Sequence, residues 1–382
     1  MNITMVSNFL NHHQLPLALE LARLTLGTFR FVATERRGEE RIALGYADLS
    51  GEPFVVPAYD GDWASAETLL RESDVVILGS CPEKLAQIPI RAGILTFRFA
   101  ERPLRRGLEP LKYLPRLLRW HWRNPVFRPV YLLCAGAYTA GDYQKFGLFR
   151  HRAYRWGYFP ETRQYSERDL FAGKDPARLL WVGRMIELKH PDLALEAAQR
   201  LKEQGYRFQL DMIGTGELEN ALREQIQQLG LEEEVHLLGS MPPEQVRKHM
   251  ERAGIFLFTS AGRAGWGAVV DEAMNSGGAV VAQEGAGSLP YLIRSGENGL
   301  VLPAGDLDGL VRAAADLLGR PEKQQKLGIP AYRTIVDVWN AEEAARRFLA
   351  LCERCLAGER WPDLHKDGPC SREEEEKTRW KG

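Results

Sequence analysis

Between Val182 and Asp192 the chain reads VGRMIELKHPD, and its two cations, Arg184 and Lys189, follow a short apolar run and precede a helical pattern. Cations placed where a strand gives way to a helix are suited to gripping an anion such as a phosphate. A second segment, residues 265–282, reads GWGAVVDEAMNSGGAVVA. Here Gly265, Gly267 and the first amides of the following helix predict a backbone cradle for an anion, reinforced by the helix dipole, with Trp266 and Ala268 as further candidate substrate-binding residues. Glu272 falls about one and a half turns into that helix, where a carboxylate accepts hydrogen bonds from vicinal hydroxyls such as those of a ribose. The plain alternative is that Arg184 and Lys189 are solvated surface cations and Glu272 is their ion-pair partner.

The elements around these residues alternate. RLLWVG, FQLDMIG, EVHLLG, IFLFTS, AVVA and GLVL read as six short strands, separated by helical patterns such as Pro191–Gln204 and the run Leu218, Leu222, Ile226, Leu229. Strands that are apolar without alternation predict a parallel sheet buried on both faces. NITMVSN, FRFVATE, SDVVILGS, GILTFRFA and VYLLCAG repeat the theme in the first half. The expected architecture is α/β, two doubly wound Rossmann-like domains over 1–160 and 178–330. A Pro- and Gly-punctuated linker over 161–177 joins them, helices over 331–358 return to the first domain, and 359–382 form a disordered charged tail. Ligands of such sheets bind outside the carboxyl ends of the strands, so two facing domains are expected to leave a cleft there.

Composition narrows the partners. A chain of 382 residues, 45% apolar and 26% charged, is long enough for two domains and too ordinary to be disordered or disulfide-stapled. Its formal net charge of -1 supplies no global basic field for nucleic acid. No run of about 18 apolar residues is present, and MNITMVSNFL lacks a basic n-region, so a cytoplasmic protein is expected. Cys352 and Cys355 form a lone CxxC inside a helical stretch, which reads as packing and not as a metal site. Of the two Asp-x-Asp triplets, Asp60 with Asp62 and Asp306 with Asp308, both are explained by helix capping at Asp62 and Asp306. No metal is expected.

Taken together, Val182, Gly183, Arg184 and Lys189, the run GTGELENAL, the phrase GWGAVVDEAMNSGGAVVA and the later GSLPYLIRSGENGLVLP resemble the carboxyl-terminal domain of the retaining glycosyltransferases of family 4, which adopt the GT-B fold. The likeness spans about 179–318, with the motifs in order. It implies transfer of a sugar from a UDP- or GDP-linked nucleotide-sugar donor to a glycan or lipid-linked acceptor, as in envelope polysaccharide assembly. Under it Arg184 and Lys189 bind the donor diphosphate in place of a metal, Glu272 binds the donor ribose, and Gly214 and Ser240 lie where the nucleotide is held. The family carries a first glutamate where this chain has Ala264. Glu284 and Arg263, nearby in sequence, are candidates to compensate. Loss of that glutamate keeps two other readings open: a non-catalytic nucleotide-sugar or glycan binding protein, and a GT-B sugar-nucleotide epimerase.

The first half departs further from the family. After its first strand it has Asn11, His12, His13 and Gln14, and His13 is a candidate to touch phosphate or an acceptor hydroxyl. Glu101, after the strand ILTFRFA, is a candidate base for that hydroxyl, the alternative being an ion pair with Arg105. From Arg102 to Arg128 eight cations face Glu109 alone, a local net charge of +7, interleaved with Leu and Trp. That stretch is expected either to meet an anionic membrane surface, peripheral on the inner face of the plasma membrane, or to be a surface helix with an apolar inner face.

Overall fold

The structure, a computed structural model, describes residues 1–38, 47–105, 107–260 and 264–373. Arg106, Arg263 and the acidic run after Glu373 lie outside the described residues. Two units emerge, one made of the chain up to Glu161 together with the segment from Trp339 onward, the other of Thr162–Val338.

The first unit is a seven-stranded parallel sheet of β1 (Ile3–Ser7), β2 (Phe29–Ala33), β3 (Val55–Pro57), β4 (Val75–Leu78), β5 (Leu95–Glu101), β6 (Val130–Ala135) and β7 (Ala153–Trp156), in the order β3-β2-β1-β4-β5-β6-β7. The second is a six-stranded parallel sheet of β8 (Asp175–Val182), β9 (Gln209–Ile213), β10 (Val235–Gly239), β11 (Ala253–Phe258), β12 (Ala279–Gln283) and β13 (Leu300–Leu302), in the order β10-β9-β8-β11-β12-β13. Counted from its own first strand, each unit begins 3-2-1-4-5-6, the doubly wound order. Leu179, Trp181, Leu210, Met212, Ile255, Leu257 and Val281 anchor the second core, while Val6, Val32, Val76, Leu78, Leu132 and Cys134 do so in the first. Side chains on both faces of each sheet are buried, hence the unalternating apolar runs. Helix ends follow local chemistry: the carboxylate of Asp62 accepts from Ser65 N at 3.2 Å and that of Asp306 from Gly309 N at 2.8 Å.

Two expected boundaries are corrected. Residues 161–177 are no linker, because they hold the helix Glu167–Ala172 and the start of β8. Their polar groups are spent internally. The backbone of Arg163 exchanges hydrogen bonds with the Asn275 carboxamide at 2.8 and 3.0 Å, and its guanidinium meets Glu251 at 3.0 Å. Tyr165 N donates to the Tyr332 hydroxyl at 2.8 Å, and that hydroxyl donates to Tyr165 O at 3.1 Å. Nor is the tail disordered as far as Glu373. It runs antiparallel beside β7, with Arg155 N donating to Ser371 O at 2.8 Å, Cys370 N to Arg155 O at 2.9 Å and Glu373 N to Ala153 O at 2.9 Å. A sheet edge carries unpaired backbone donors and acceptors, and this segment satisfies those of β7. The Tyr131 and Tyr154 hydroxyls add bonds to Arg360 O and Pro362 O, both at 2.9 Å. The helix Ala341–Leu356 packs in the first unit, its Phe348 ring 5.0 Å from that of Phe97. It carries the CxxC, where burial pushes the Cys355 thiol up to about 11 and keeps it uncharged.

Close approach of strand ends fixes one glycine. Gly214 has φ +134°, and a Cβ there would lie 1.8 Å from the Gly183 carbonyl oxygen. Gly214→Ala is therefore expected to destabilise the second unit by about 3 kcal/mol or more. Gly173→Ala, at φ -103° with nothing within 4 Å, is the control and should stay within about 0.5 kcal/mol of wild type. Equal melting temperatures for the two variants would refute the steric account.

Candidate functional site

In the second unit β8 and β11 are neighbours, yet the chain leaves β8 towards β9 and leaves β11 towards β12 on the other side. Loops that part in this way open a crevice at the carboxyl ends of the two strands. Arg184 stands exposed two residues past the end of β8, and Lys189 ends the short 3-10 turn Glu187–Lys189 in the same loop. That loop is bolted down. The Thr259 hydroxyl, just past β11, accepts the Trp181 indole N–H at 2.9 Å and shares its proton between the carbonyls of Lys189 and His190, 2.8 and 2.7 Å away. His190 adopts φ +45° and ψ +55°, a left-handed conformation costing a side-chain-bearing residue roughly 1 kcal/mol, and the helix Pro191–Glu203 starts immediately after it. The Lys189 ammonium lies 5.9 Å from the Phe258 ring centroid, within cation–π range.

Past β11 the loop of residues 264–268 leads into the helix Val269–Asn275, with Ala268 as its N-cap. Gly267 has φ +89° and lies so close to Phe258 that a Cβ would sit 3.1 Å from its ring. The loop is pinned to the one following β12: Gly287 N donates to Gly265 O at 2.9 Å and Ser288 N to Trp266 O at 3.2 Å. Half-buried Glu284 begins that second loop, its N–H donating to Leu302 O at 2.8 Å. Half-buried Glu272 lies on the helix. Ser240 is exposed directly after β10, where Gly239 O accepts from Gly214 N at 2.8 Å. Arg184, Lys189, Gly214, Ser240, Gly267, Ala268, Glu272 and Glu284 thus follow the carboxyl ends of five strands of one sheet.

Three assignments change in character. Trp266 is corrected as a substrate-binding side chain: it is 1% exposed, its indole donates to Asp271 Oδ2 at 2.9 Å, and its ring is 6.1 Å from that of Tyr291. Its role is to pack the loop from beneath. Gly214 is required by the backbone approach to Gly183, a sufficient reason for glycine whatever binds nearby. Ala264, where the family would place a glutamate, is 3% exposed and presents only a methyl group. Asp271 was not anticipated, although positions 271, 274 and 275 share a helix face and Met274 and Asn275 are buried. A carboxyl on that face has to be reckoned with.

The first unit has its own switch point, between β1 and β4. A cavity of about 460 Å³ opens there, lined by Ser7, Asn11, Gln14, Ser80, Glu101 and Tyr158 among others. Asn11 shapes the loop before the helix Leu15–Leu24, its side-chain oxygen accepting from His13 N at 3.0 Å and Gln14 N at 3.1 Å. The His12 and His13 rings lie 3.6 Å apart, and His13 O accepts from Phe159 N at 3.2 Å. Glu101 closes β5 on the cavity wall and is ion-paired with Arg105 across a turn, not along a helix. Arg98 and Arg102 are structural: Arg98 meets Glu83 at 3.0 Å and Arg102 meets buried Asp142 at 3.2 Å.

Burial pushes the Asp271 carboxyl well above the ordinary carboxylate range, against the opposing pull of the Trp266 hydrogen bond. Its neutral form is therefore favoured in the fold relative to the unfolded chain. Such a group contributes stability that is complete below the unfolded pKa of about 3.9 and is lost as pH rises towards the folded value, at up to about 1.4 kcal/mol per pH unit. Asp271→Asn mimics the neutral acid. Its stability advantage over wild type should widen as pH rises above about 4 in thermal melts, and parallel pH profiles would refute the upward shift of Asp271.

Comparison with known proteins fits these observations. Residues 163–334 match the family model described as glycosyl transferases group 1. The amylovoran biosynthesis glycosyltransferase AmsK of Erwinia amylovora is 32% identical over 52% of this chain and 50% of its own length. The putative colanic acid biosynthesis glycosyltransferase WcaL of Escherichia coli K12 is 31% identical over 46% of this chain and 44% of its own. The matched part thus spans about half the length of the curated relatives. Among solved structures, Anabaena Alr3699/HepE in complex with UDP-glucose superposes with a TM-score of 0.65 over 92% of this chain and all of that one, at 16% identity, a likeness of fold. The two parallel-sheet Rossmann-like domains match those of GT-B glycosyltransferases in fold, and residues 163–334 are similar to the glycosyl transferases group 1 family.

Proposed function

We propose that the protein transfers a sugar, with retention of configuration, from a UDP- or GDP-linked donor to a glycan or lipid-linked acceptor in polysaccharide assembly. The observation that carries this reading is the pair of cations in the loop after β8, opposite the Gly267 loop and the Glu272 helix that follow β11, at the switch point of one sheet. The names of AmsK and WcaL support the polysaccharide setting, and the UDP-glucose held by Alr3699/HepE supports the donor class.

In this reading Arg184 and Lys189 hold the diphosphate and stabilise its growing charge as the sugar departs, the work a divalent metal does in other transferases. Donor groups that are already fixed stabilise that charge without reorganisation, and the Thr259 clasp fixes the backbone of Lys189. Ribose hydroxyls donate to the Glu272 carboxylate. The acceptor hydroxyl attacks from the face the diphosphate leaves, and a diphosphate oxygen takes its proton. The new glycosidic bond then lies on the face of the old one.

Buried Ala264 favours one second reading, a protein that binds a nucleotide-sugar without turning it over. Turnover separates the two: release of nucleotide from donor with acceptor extract supports transfer, whereas binding without release, restored in Ala264→Glu, supports the binding reading.

A screen of UDP, GDP and their sugars by thermal shift should reveal the donor, since a ligand at a hundredfold its Kd adds about 2.7 kcal/mol. Arg184→Ala and Lys189→Ala are expected to abolish that gain while leaving the unliganded melting temperature within a few degrees. An undiminished shift in both variants overturns the donor assignment.

A further inference from the structure

The helix Tyr113–Arg123 is apolar on two sides. Inwards, Trp120 is buried, its ring 4.6 Å from Phe146 and 4.8 Å from Tyr143. Outwards, Leu114, Leu118 and Trp122 recur every fourth residue and form a stripe that is 60%, 64% and 55% exposed. Leu111 and Phe127 flank it at 94% and 81% exposure. Single exposed apolar residues are ordinary, but a run of large ones along one stretch marks a surface that something covers.

The charges beside the stripe identify what. Four cations of the stretch are satisfied internally, Arg102 by Asp142, Arg105 by Glu101, Lys112 by Glu109 and Arg123 by Glu83. Arg116, Arg119 and Arg128 pair with no carboxylate among the described residues. Arg116 lies over the Trp120 ring and Arg128 over the Phe127 ring, each 5.8 Å from the centroid. Leu and aromatic side chains that face outwards, with guanidinium groups alongside, match the requirements of a bilayer interface, where apolar groups enter the acyl boundary and cations meet headgroup phosphates. A second copy of the chain seated on this face about a two-fold axis would set the cations against one another.

We propose that this face docks on an anionic lipid bilayer, with Leu114, Leu118, Trp122 and Phe127 entering it and Arg119 and Arg128 on the headgroups. The helix has 11 residues and lies in the interface plane; among the described residues no helix is long and apolar enough to cross a membrane. This inference is independent of the reaction assigned above.

Flotation of the full chain with phosphatidylcholine vesicles containing about 30% phosphatidylglycerol tests it. Wild type is expected to float with these vesicles and to stay behind with pure phosphatidylcholine. Combining Leu114→Ser, Leu118→Ser and Trp122→Ser should cut binding at least about tenfold, and so should Arg119→Glu with Arg128→Glu. Arg119→Glu alone and Phe127→Ser alone keep the test valid if a multiple variant melts early. Undiminished flotation of variants that melt like wild type overturns the proposal. So does equal flotation on neutral vesicles, or a lipid-free dimer in sedimentation velocity that the serine variant abolishes.

Discussion

One hydroxyl group holds the candidate donor site together. Thr259 sits where β11 ends, accepts the indole N–H of Trp181 from inside β8, and donates to the carbonyls of Lys189 and His190 in the loop that β8 feeds. The two central strands are thus joined at the point where their chains diverge. Without that oxygen the buried Trp181 N–H would have no acceptor, a loss of about 1–3 kcal/mol, and nothing equivalent would hold His190 in its left-handed conformation. A cation that is to stabilise charge during a reaction must not spend free energy on finding its place, and the clasp settles that place in advance.

The two units share a strand order and differ in what the order exposes. At the β8 and β11 ends stand cations and a glycine loop; at the β1 and β4 ends stand mostly neutral polar groups, Ser7, Asn11, Gln14 and Ser80, with Glu101 occupied by Arg105. A crevice lined by cations suits an anion, whereas a neutral polar one suits hydroxyl-rich molecules that carry no charge. The glycines follow the same division of labour. Gly79 allows the backbone to pass Ser7, whose Oγ would be 2.8 Å from any Cβ there, and Gly214 allows it to pass Gly183. In both units the approach occurs next to the first strand of the sheet.

Most of the sheet architecture was legible because parallel strands buried on both faces leave apolar runs that alternation does not dilute. What escaped is explained by composition and by distance in sequence. β3 runs into Pro57 and β7 carries Arg155 among aromatic residues, so neither leaves a plain apolar run. The segments 161–177 and 359–373 are polar in composition, and polarity suggested solvent, but their polar groups are satisfied by Asn275, Tyr332, Tyr131 and Tyr154, partners far away in the chain. For the candidate site, the places of Arg184, Lys189 and Glu272 after strand ends were legible from the strand and helix boundaries, while the roles given to them came from the family resemblance. Trp266 misled because the flanking glycines suggested an open loop, whereas the glycines are what let the loop fold its indole inwards onto Asp271.

Charge pairing separates the cations that build the protein from those that serve its surroundings. With 50 Lys and Arg against 51 Asp and Glu, the chain has an acid for nearly every cation, and many of its arginines take one up. Arg98 and Arg123 share Glu83, Arg155 joins Asp367 and Glu373, and Arg178 joins Asp211. Against that background Arg184, Arg116, Arg119 and Arg128 pair with no carboxylate among the described residues. Exposure alone does not distinguish them, since Arg223 and Arg333 are exposed and yet paired. Cations left without a carboxylate raise the local positive potential and attract anions from outside. At a sheet switch point, beside backbone amides, the site has room for a small anion. Beside a stripe of leucine and tryptophan, the proposed partner is a surface.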